Sequence, residues 1–266
     1  MDSIILTADE AQKFIKLLSG KKYRDTRAAL AATVEDYELQ TLLAVDPESF
    51  VRRRLAENEY ADPEVLLTLA RNSRQITILE QVAGNRNTPA EALDILIQNP
   101  HPHNLTIHYI ARHKNTSGKH LLSLLNNVPP QHSDRRTIFA NPNFPIEEYR
   151  DKIDFNNSHQ IEGLASNVNL PEDLAYKITA EAEDRYGISH ALSANTSVSS
   201  ELLQYLLEKR PIQDVAMGII SHPNATEEHI RIIIKKADHR LRDDISRMMN
   251  YLPNVPFRDL LLTIKN

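Results

Sequence analysis

The sequence predicts an all-α fold, a right-handed α-solenoid of about eight two-helix repeats. The main observation is a short pattern: an apolar residue, usually a small one after it, a polar turn rich in Asn and often Pro, and then an apolar helix. Consecutive copies are 26 to 30 residues apart, and nearly constant spacing of this length is typical of stacked helical repeats. The apolar residue, called the anchor below, is Leu55, Val82, Ile110, Ile138, Leu164, Leu192, Ile219 or Met249.

A second observation is that each repeat contains two helix patterns and no alternating strand pattern. Proline favours the first position of a helix, where its missing N–H would have no partner. The second helix of each repeat is α and is predicted to start at Pro63, Pro89, Ser117, Pro145, Pro171, Ser199, Thr226 or Pro256. The first helix spans about two turns and contains Gly163, Gly187 and Gly218, so it is predicted to be short α or 3₁₀.

The whole chain, residues 1–266, is predicted to be a single solenoid. Residues 1–27 form an N-terminal capping helix region, and repeats of about 27 residues fill 28–264, starting with a weaker copy near Leu30. A column of small residues after the anchors allows the first helices to approach closely. Its members are Ala56, Ala83, Ala111, Ala165 and Ser193.

Several of these stretches resemble the leucine-rich repeat variant family, notably DPESFVRRRLAEN (46–58), VAGNRNTPAEALDIL (82–96) and FANPNFPIEE (139–148). Proteins of that family are similar to HEAT-type solenoids and stack an α-helix with a short 3₁₀-like helix in each repeat. The resemblance covers residues 28–264. These repeats are longer than the family's usual repeat, and its cysteine-bound iron–sulfur cluster has no counterpart because the chain has no Cys.

A candidate binding stripe lies two residues before each anchor. Stacking in register would align these side chains along one surface, although an ordinary solvated helix face is the simpler alternative. The charges are mixed in sign, which favours a protein or peptide partner over a phosphate backbone. The stripe residues are Arg53, Glu80, His108, Arg136, Glu162, His190 and Arg247, with Met217 in the remaining repeat.

Two Asn columns mark the turns. Because Asn bonds nearby backbone groups and tolerates turn geometry, we interpret them as a ladder for the turn and helix entry, with a ligand-binding ladder as the alternative. The first column is Asn58, Asn85, Asn141, Asn167 and Asn195, with His113 and His222 in register. The second is Asn87, Asn115, Asn143, Asn169, Asn224 and Asn254.

Catalytic and metal-binding patterns are missing from the sequence. There is no Cys for a disulfide, thiolate metal site or nucleophile, and no GxSxG, Walker or GxGxxG motif. Six of the eleven His lie in 101–132, but not in a metal-ligand pattern, and the role of this segment stays open. Arg52 is expected to pair with an acid between repeats. We therefore predict no enzyme, no cofactor and no metal.

The predicted function is a non-enzymatic scaffold that binds a protein or peptide on an extended solenoid surface. The alternative is a nucleic-acid-binding or DNA-repair protein that resembles HEAT-like glycosylases. The net charge of −5 and the absence of Trp argue against that alternative. The chain lacks an apolar stretch that would span a membrane and a signal-peptide pattern, so a cytoplasmic location is predicted.

Overall fold

The computed structural model describes residues 6–98, 104–183, 187–251 and 255–265, and all regular structure in these ranges is helical. Residue contacts divide the chain into two compact units, Met1–Asn127 and Val128–Asn266. The division falls inside a loop expected between two repeats, at residues 126–133. A single stack of repeats through this point stays a prediction.

The first unit contains two rows of helices. The first-helix row is α2, α4, α6 and α8 as numbered below, and the second-helix row is α1, α3, α5, α7 and α9; each helix packs against the next one in its row. Because α2 begins at Arg24, the predicted cap 1–27 contains α1 and the start of the first row. The helices are α1 (Ala8–Leu17), α2 (Arg24–Ala31), α3 (Tyr37–Ala44), α4 (Ser49–Ala56), α5 (Pro63–Asn72), α6 (Ile76–Gly84), α7 (Ala90–Ile97), α8 (Asn104–Arg112) and α9 (Gly118–Asn127).

The second unit has the same alternation. Its helices are α10 (Asp134–Ala140), α11 (Ile146–Tyr149), α12 (Ser158–Ser166), α13 (Glu172–Glu181), α14 (Ile188–Ala194), α15 (Ser200–Lys209), α16 (Ile212–Ile220), α17 (Glu227–Lys236), α18 (His239–Tyr251) and α19 (Arg258–Leu261). In the first-helix row, α10, α12, α14 and α16 pack in succession; in the second-helix row, α13, α15, α17 and α19 do so.

Of the two forms predicted for the first helix, the α form is present throughout the described first helices. The 3₁₀ turns lie elsewhere. One, Lys21–Tyr23, precedes α2, and the other two, Arg150–Lys152 and Leu262–Lys265, follow the short second helices α11 and α19. The glycines of the first helices are therefore not a sign of 3₁₀ structure, and their contacts are described below.

Several second helices begin where a side chain caps their free N–H groups. Pro63 is the first residue of α5, and the Asp62 carboxylate accepts the N–H of Glu64 at 2.9 Å. Ser199 precedes α15, and its hydroxyl accepts the N–H of Leu202 at 3.1 Å. Most of the predicted starts lie within one residue of the helix, as expected for cap positions. The exception is Pro256, two residues before α19.

The turns after the first helices are tied to the preceding repeat by the first Asn column. The Asn85 side-chain amide donates to the carbonyls of Ala56 at 2.9 Å and Asn58 at 2.7 Å, and its oxygen accepts the N–H of Asn87 at 3.0 Å. Asn58, Asn167 and Asn195 make the same three kinds of bond. Each amide is buried and satisfies main-chain carbonyls of the repeat before it.

Histidine replaces asparagine at two rungs. His113 Nε2 lies 2.9 Å from the carbonyl of Asn85, and His222 Nε2 lies 2.8 Å from that of Asn195. The second Asn column adds an outer bond, because Asn87, Asn115, Asn169 and Asn224 donate to the preceding turn. The structural interpretation of both columns is confirmed for these members. Asn254 lies outside the described residues.

The glycines inside first helices mark the closest helix contacts. A Cβ at Gly163 would lie 2.5 Å from the carbonyl oxygen of Arg136 and 2.7 Å from the Cβ of Phe139, which stands where other repeats have a small residue. At Gly218 a Cβ would lie 2.8 Å from the carbonyl carbon of Ser193. The third glycine, Gly187, caps α14 with φ at 89°. The residues of the small column are fully buried, and the first helices that carry them pack against one another within each unit.

We expect Gly163→Ala to lower the free energy of unfolding of the second unit by about 1–3 kcal/mol, because α10 and α12 must move apart. Gly84→Ala is the matched control, since its Cβ would meet the Tyr109 ring at an ordinary 3.6 Å. Alanine in a helix should then raise stability by up to about 1 kcal/mol. Urea denaturation of both variants measures this, and equal midpoints would contradict the close contact.

We expect Asn85→Ala to cost about 1–3 kcal/mol, because it removes the amide donor from the buried carbonyls of Ala56 and Asn58, of which Asn58 keeps the N–H of Ala61. Asn85→His should cost less, since the chain itself uses His at two rungs of the ladder. Denaturation by urea compares the two variants. A His variant as unstable as the Ala variant would show that an imidazole cannot replace the amide at this rung.

Candidate functional site

The predicted stripe residues all lie within first helices, and in the first unit they follow one another on α4, α6 and α8. Arg53 is half-buried; its guanidinium lies 3.5 Å from the Glu57 carboxylate and 5.5 Å from the centre of the Phe50 ring. Glu80 and His108 occupy the same position on α6 and α8 and are also half-buried. This part of the stripe therefore alternates between cationic, anionic and imidazole side chains.

In the second unit, two stripe residues neutralise each other. Arg136 Nη1 lies 2.9 Å from Glu162 Oε1, and the Glu162 side chain is only 10% exposed. His190 and Arg247 are exposed, and Arg247 pairs with Asp244 in its own helix at 2.5 Å. The structure thus brings Arg136 and Glu162 together, which leaves little of the Glu162 carboxylate for a partner.

A pair of clefts in the first unit flanks the side chain of Tyr109. The ring is 36% exposed and packs over Gly84, where an added Cβ would meet it at an ordinary contact distance of 3.6 Å. One cleft, of about 360 Å³, is lined on its polar side by Glu57 and Glu59. The other, of about 400 Å³, has the small floor residues Ala83 and Gly84. Tyr109 and Arg86 line both.

The two clefts differ in charge. Arg86 and the exposed side chains of Arg112 and Lys114 line the larger cleft. Among the described residues that line it, none carries a carboxylate. The acids of the smaller cleft already have cationic partners: Glu59 pairs with Arg86 at 3.0 Å, and Glu57 with Arg54 at 2.5 Å. The larger cleft is therefore lined by cationic side chains, of which Arg86 is already paired with Glu59, in a chain whose net charge is −5.

Sequence reasoning missed Tyr109 because it lies one residue beyond the stripe. The other repeats carry no aromatic side chain directly before their anchor, and none but the repeat of Val82 has Gly two residues after it. Position 109 faces position 84 of the preceding repeat, so the ring of Tyr109 contacts Gly84 across the stack. Comparing these two columns offset by one repeat would have revealed the site.

His113 forms part of the larger cleft as a neutral ring. Its Nδ1 accepts the N–H of Asn115 at 3.1 Å, so the ring proton lies on Nε2, which donates to the Asn85 carbonyl. Burial lowers the pKa of His113 below its ordinary value, and the charge of Lys114 lowers it further, although the bond to Asn85 opposes this. The positive charge of the cleft comes from Arg and Lys.

Ser117, His120 and Asp94 form the one Ser, His and Asp group that we find among the described residues. His120 Nδ1 lies 2.7 Å from Ser117 Oγ and 2.9 Å from Asp94 Oδ1. In a Ser–His–Asp relay the two partners contact opposite ring nitrogens. Here both partners contact Nδ1, so the carboxylate does not orient the imidazole as the base for the Ser hydroxyl. We interpret the group as a cap of α9 that is tied to α7.

A third cleft, of about 730 Å³, lies beside α1 over a buried ion pair. Arg27 Nε lies 2.5 Å from Asp46 Oδ2, both side chains are 4% exposed, and Arg27 also donates to the carbonyls of Leu18 and Gly20. The Arg27 guanidinium is thus used within the protein, where it links the end of α1 to the residues before α4. Arg52 was predicted to pair with an acid, but it donates to the main-chain carbonyl of Asp46.

The His-rich segment forms no metal site in the described residues. No group of three His, Asp or Glu side chains with metal-binding geometry occurs there. His108 packs edge-on against Tyr109, and His132 Nδ1 accepts the N–H of Asp134. His101 and His103 lie outside the described residues. Within those same ranges, no helix has the length and apolar character needed to cross a membrane.

Comparison with known proteins gives no relative. No protein-family model matches the chain, and no characterised protein or solved structure matches it. The similarity to the leucine-rich repeat variant family therefore stays a prediction based on the residues quoted above.

We expect the protein to lose stability as the pH falls below about 6.5, the ordinary pKa of His. Because the pKa of His113 is lowered in the folded state, the unfolded chain binds a proton that the folded chain does not. The slope from His113 is at most about 1.4 kcal/mol per pH unit. His229, whose pKa is also lowered by burial, acts in the same direction.

His113→Asn separates the two contributions, since Asn occupies this rung in other repeats. Urea denaturation between pH 7.5 and 5.5 should show a shallower loss of stability for His113→Asn than for the wild type. Identical slopes would show that His113 titrates equally in the folded and unfolded states.

Proposed function

We propose that the chain is a non-enzymatic scaffold, a right-handed α-solenoid of the leucine-rich repeat variant type that binds a protein or peptide. In each unit, helices pack against the next helix of the same row, and turn amides bond to the preceding repeat. Growth by such nearest-neighbour contacts favours a long surface over a closed cavity. The binding surface in this proposal is the stripe on the first-helix row, and the protein acts in the cytoplasm.

The observation that carries the proposal is the contact between Arg136 and Glu162. These residues occupy equivalent positions in neighbouring repeats, and their charged atoms lie 2.9 Å apart. Equivalent side chains of successive repeats are thus close enough to act on one extended ligand. Since the stripe is mixed in sign, it suits a polypeptide that carries both charges better than a uniformly charged polymer.

A nucleic-acid-binding function is the second candidate, and the larger Tyr109 cleft favours it. Cationic side chains beside an exposed aromatic ring are the features with which proteins hold single-stranded nucleic acids. Against it, Glu57 and Glu59 line the adjoining cleft, which also contains Tyr109. Because of these acids and the net charge of −5, we favour the scaffold over the nucleic-acid-binding function.

Reversal of stripe charges tests the scaffold. Tagged wild type is used to capture proteins from an extract of its own cells, with quantitation by mass spectrometry. Arg53→Glu with Arg247→Glu should lose at least about tenfold of the protein retained by the wild type, because like charges then face the partner. Both side chains are accessible, so we expect the variant to fold.

The matched control is Arg71→Glu with Lys235→Glu, the same change of charge on exposed side chains of the second helices α5 and α17. It should retain the wild-type partners. Equal loss in both variants would mean that net charge, and not the stripe, controls binding. Failure of the wild type to retain any protein in stoichiometric amount would contradict the scaffold.

A further inference from the structure

The larger cleft beside Tyr109 combines three features that belong to peptide-binding sites. Its floor, at Ala83 and Gly84, lacks large side chains, so a ligand's main chain can approach the protein closely. The ring of Tyr109 stands beside the floor as an exposed wall. The volume of about 400 Å³ lies in the range of small-ligand pockets, roughly 300–1,000 Å³.

The charge of this cleft selects the ligand. Arg86, Arg112 and Lys114 line it, and His113 at its back is neutral with its ring nitrogens bonded to the backbone. The bond between Arg86 and Glu59 is solvent-exposed, with side chains 67% and 61% accessible. Exposed ion pairs of this kind contribute little to stability, so a ligand carboxylate can replace Glu59 at little cost.

The neighbouring acids limit the length of an anionic ligand. Glu57 and Glu59 line the adjoining cleft, which shares Gly84, Arg86 and Tyr109 with the larger one. A phosphate backbone that continued past the ring would meet both carboxylates, and each phosphate carries a charge. A short acidic peptide segment can instead place its carboxylates on the cationic side and neutral residues beyond the ring. This difference favours a peptide.

We propose that the larger Tyr109 cleft binds an acidic peptide segment, with Arg86, Arg112 and Lys114 pairing with its Asp and Glu side chains. The Tyr109 ring packs against the apolar part of the segment. The inference rests on the proposed scaffold function, which it deepens by naming the chemistry of the partner. Affinity is expected to fall with added salt, because the cations lie at the surface.

Fluorescence anisotropy with the full chain tests the proposal. The probes are a labelled ten-residue peptide of Asp and Glu around a central Leu, the same peptide with Asn and Gln, and a ten-nucleotide oligothymidine. We expect the acidic peptide to bind at least about tenfold more tightly than the amide peptide and the oligonucleotide. Arg112→Glu and Tyr109→Ala should each weaken its binding by about tenfold or more.

Arg71→Glu is the control for charge within the same unit and should leave peptide binding unchanged. Circular dichroism checks that each variant remains folded, and Arg112→Gln serves as a milder variant. Equal binding of the acidic and amide peptides, or equal effects of Arg71→Glu and Arg112→Glu, would overturn the proposal. Tighter binding of the oligonucleotide would overturn it in favour of nucleic acid. If stripe variants lose partners from extracts while the acidic peptide fails to bind, this inference fails and the scaffold stands.

Discussion

The turn ladder is the constraint on which the arrangement of repeats depends. Helix ends leave carbonyl groups without partners, and in a stack many of these groups are buried between neighbours. A side-chain amide in the next turn, such as that of Asn85 or Asn195, supplies the donors. Because its oxygen also accepts an N–H of its own turn, one side chain fixes the turn and its position against the previous repeat. Register within each unit follows from this bond.

The same ladder explains why His replaces Asn at positions 113 and 222. An imidazole with its proton on Nε2 reproduces the donor and the acceptor of an amide, while Nδ1 takes the turn N–H. It provides one donor where Asn provides two, and its acceptor is lost on protonation. The substitution keeps the register at neutral pH and, at position 113, introduces a sensitivity to acid that Asn lacks.

Periodic features were predictable from sequence, and pairwise ones were not. Helix starts, the buried small column and the two Asn columns recur in most repeats, so their spacing alone identifies them. The Arg27–Asp46 ion pair occurs once and joins residues on different elements, and nothing periodic marks it. Gly163 appeared to be a sign of 3₁₀ structure because its role depends on Phe139 in the neighbouring helix. The contact between Tyr109 and Gly84 likewise joins two neighbouring repeats, so it is not visible in the pattern of either repeat alone.

These differences bear on where function is to be sought in such a chain. A residue that recurs in every repeat serves the stack, because every repeat meets the same packing problem. Where equivalent positions carry opposite charges, as at Arg136 and Glu162, stacking itself brings them together and neutralises them. A feature that occurs in one repeat has no such structural requirement. The ring of Tyr109 over Gly84, beside cations in an acidic protein, is a departure of this kind. Binding specificity in a stack of similar units must come from such departures, since the shared pattern is the same everywhere along the surface.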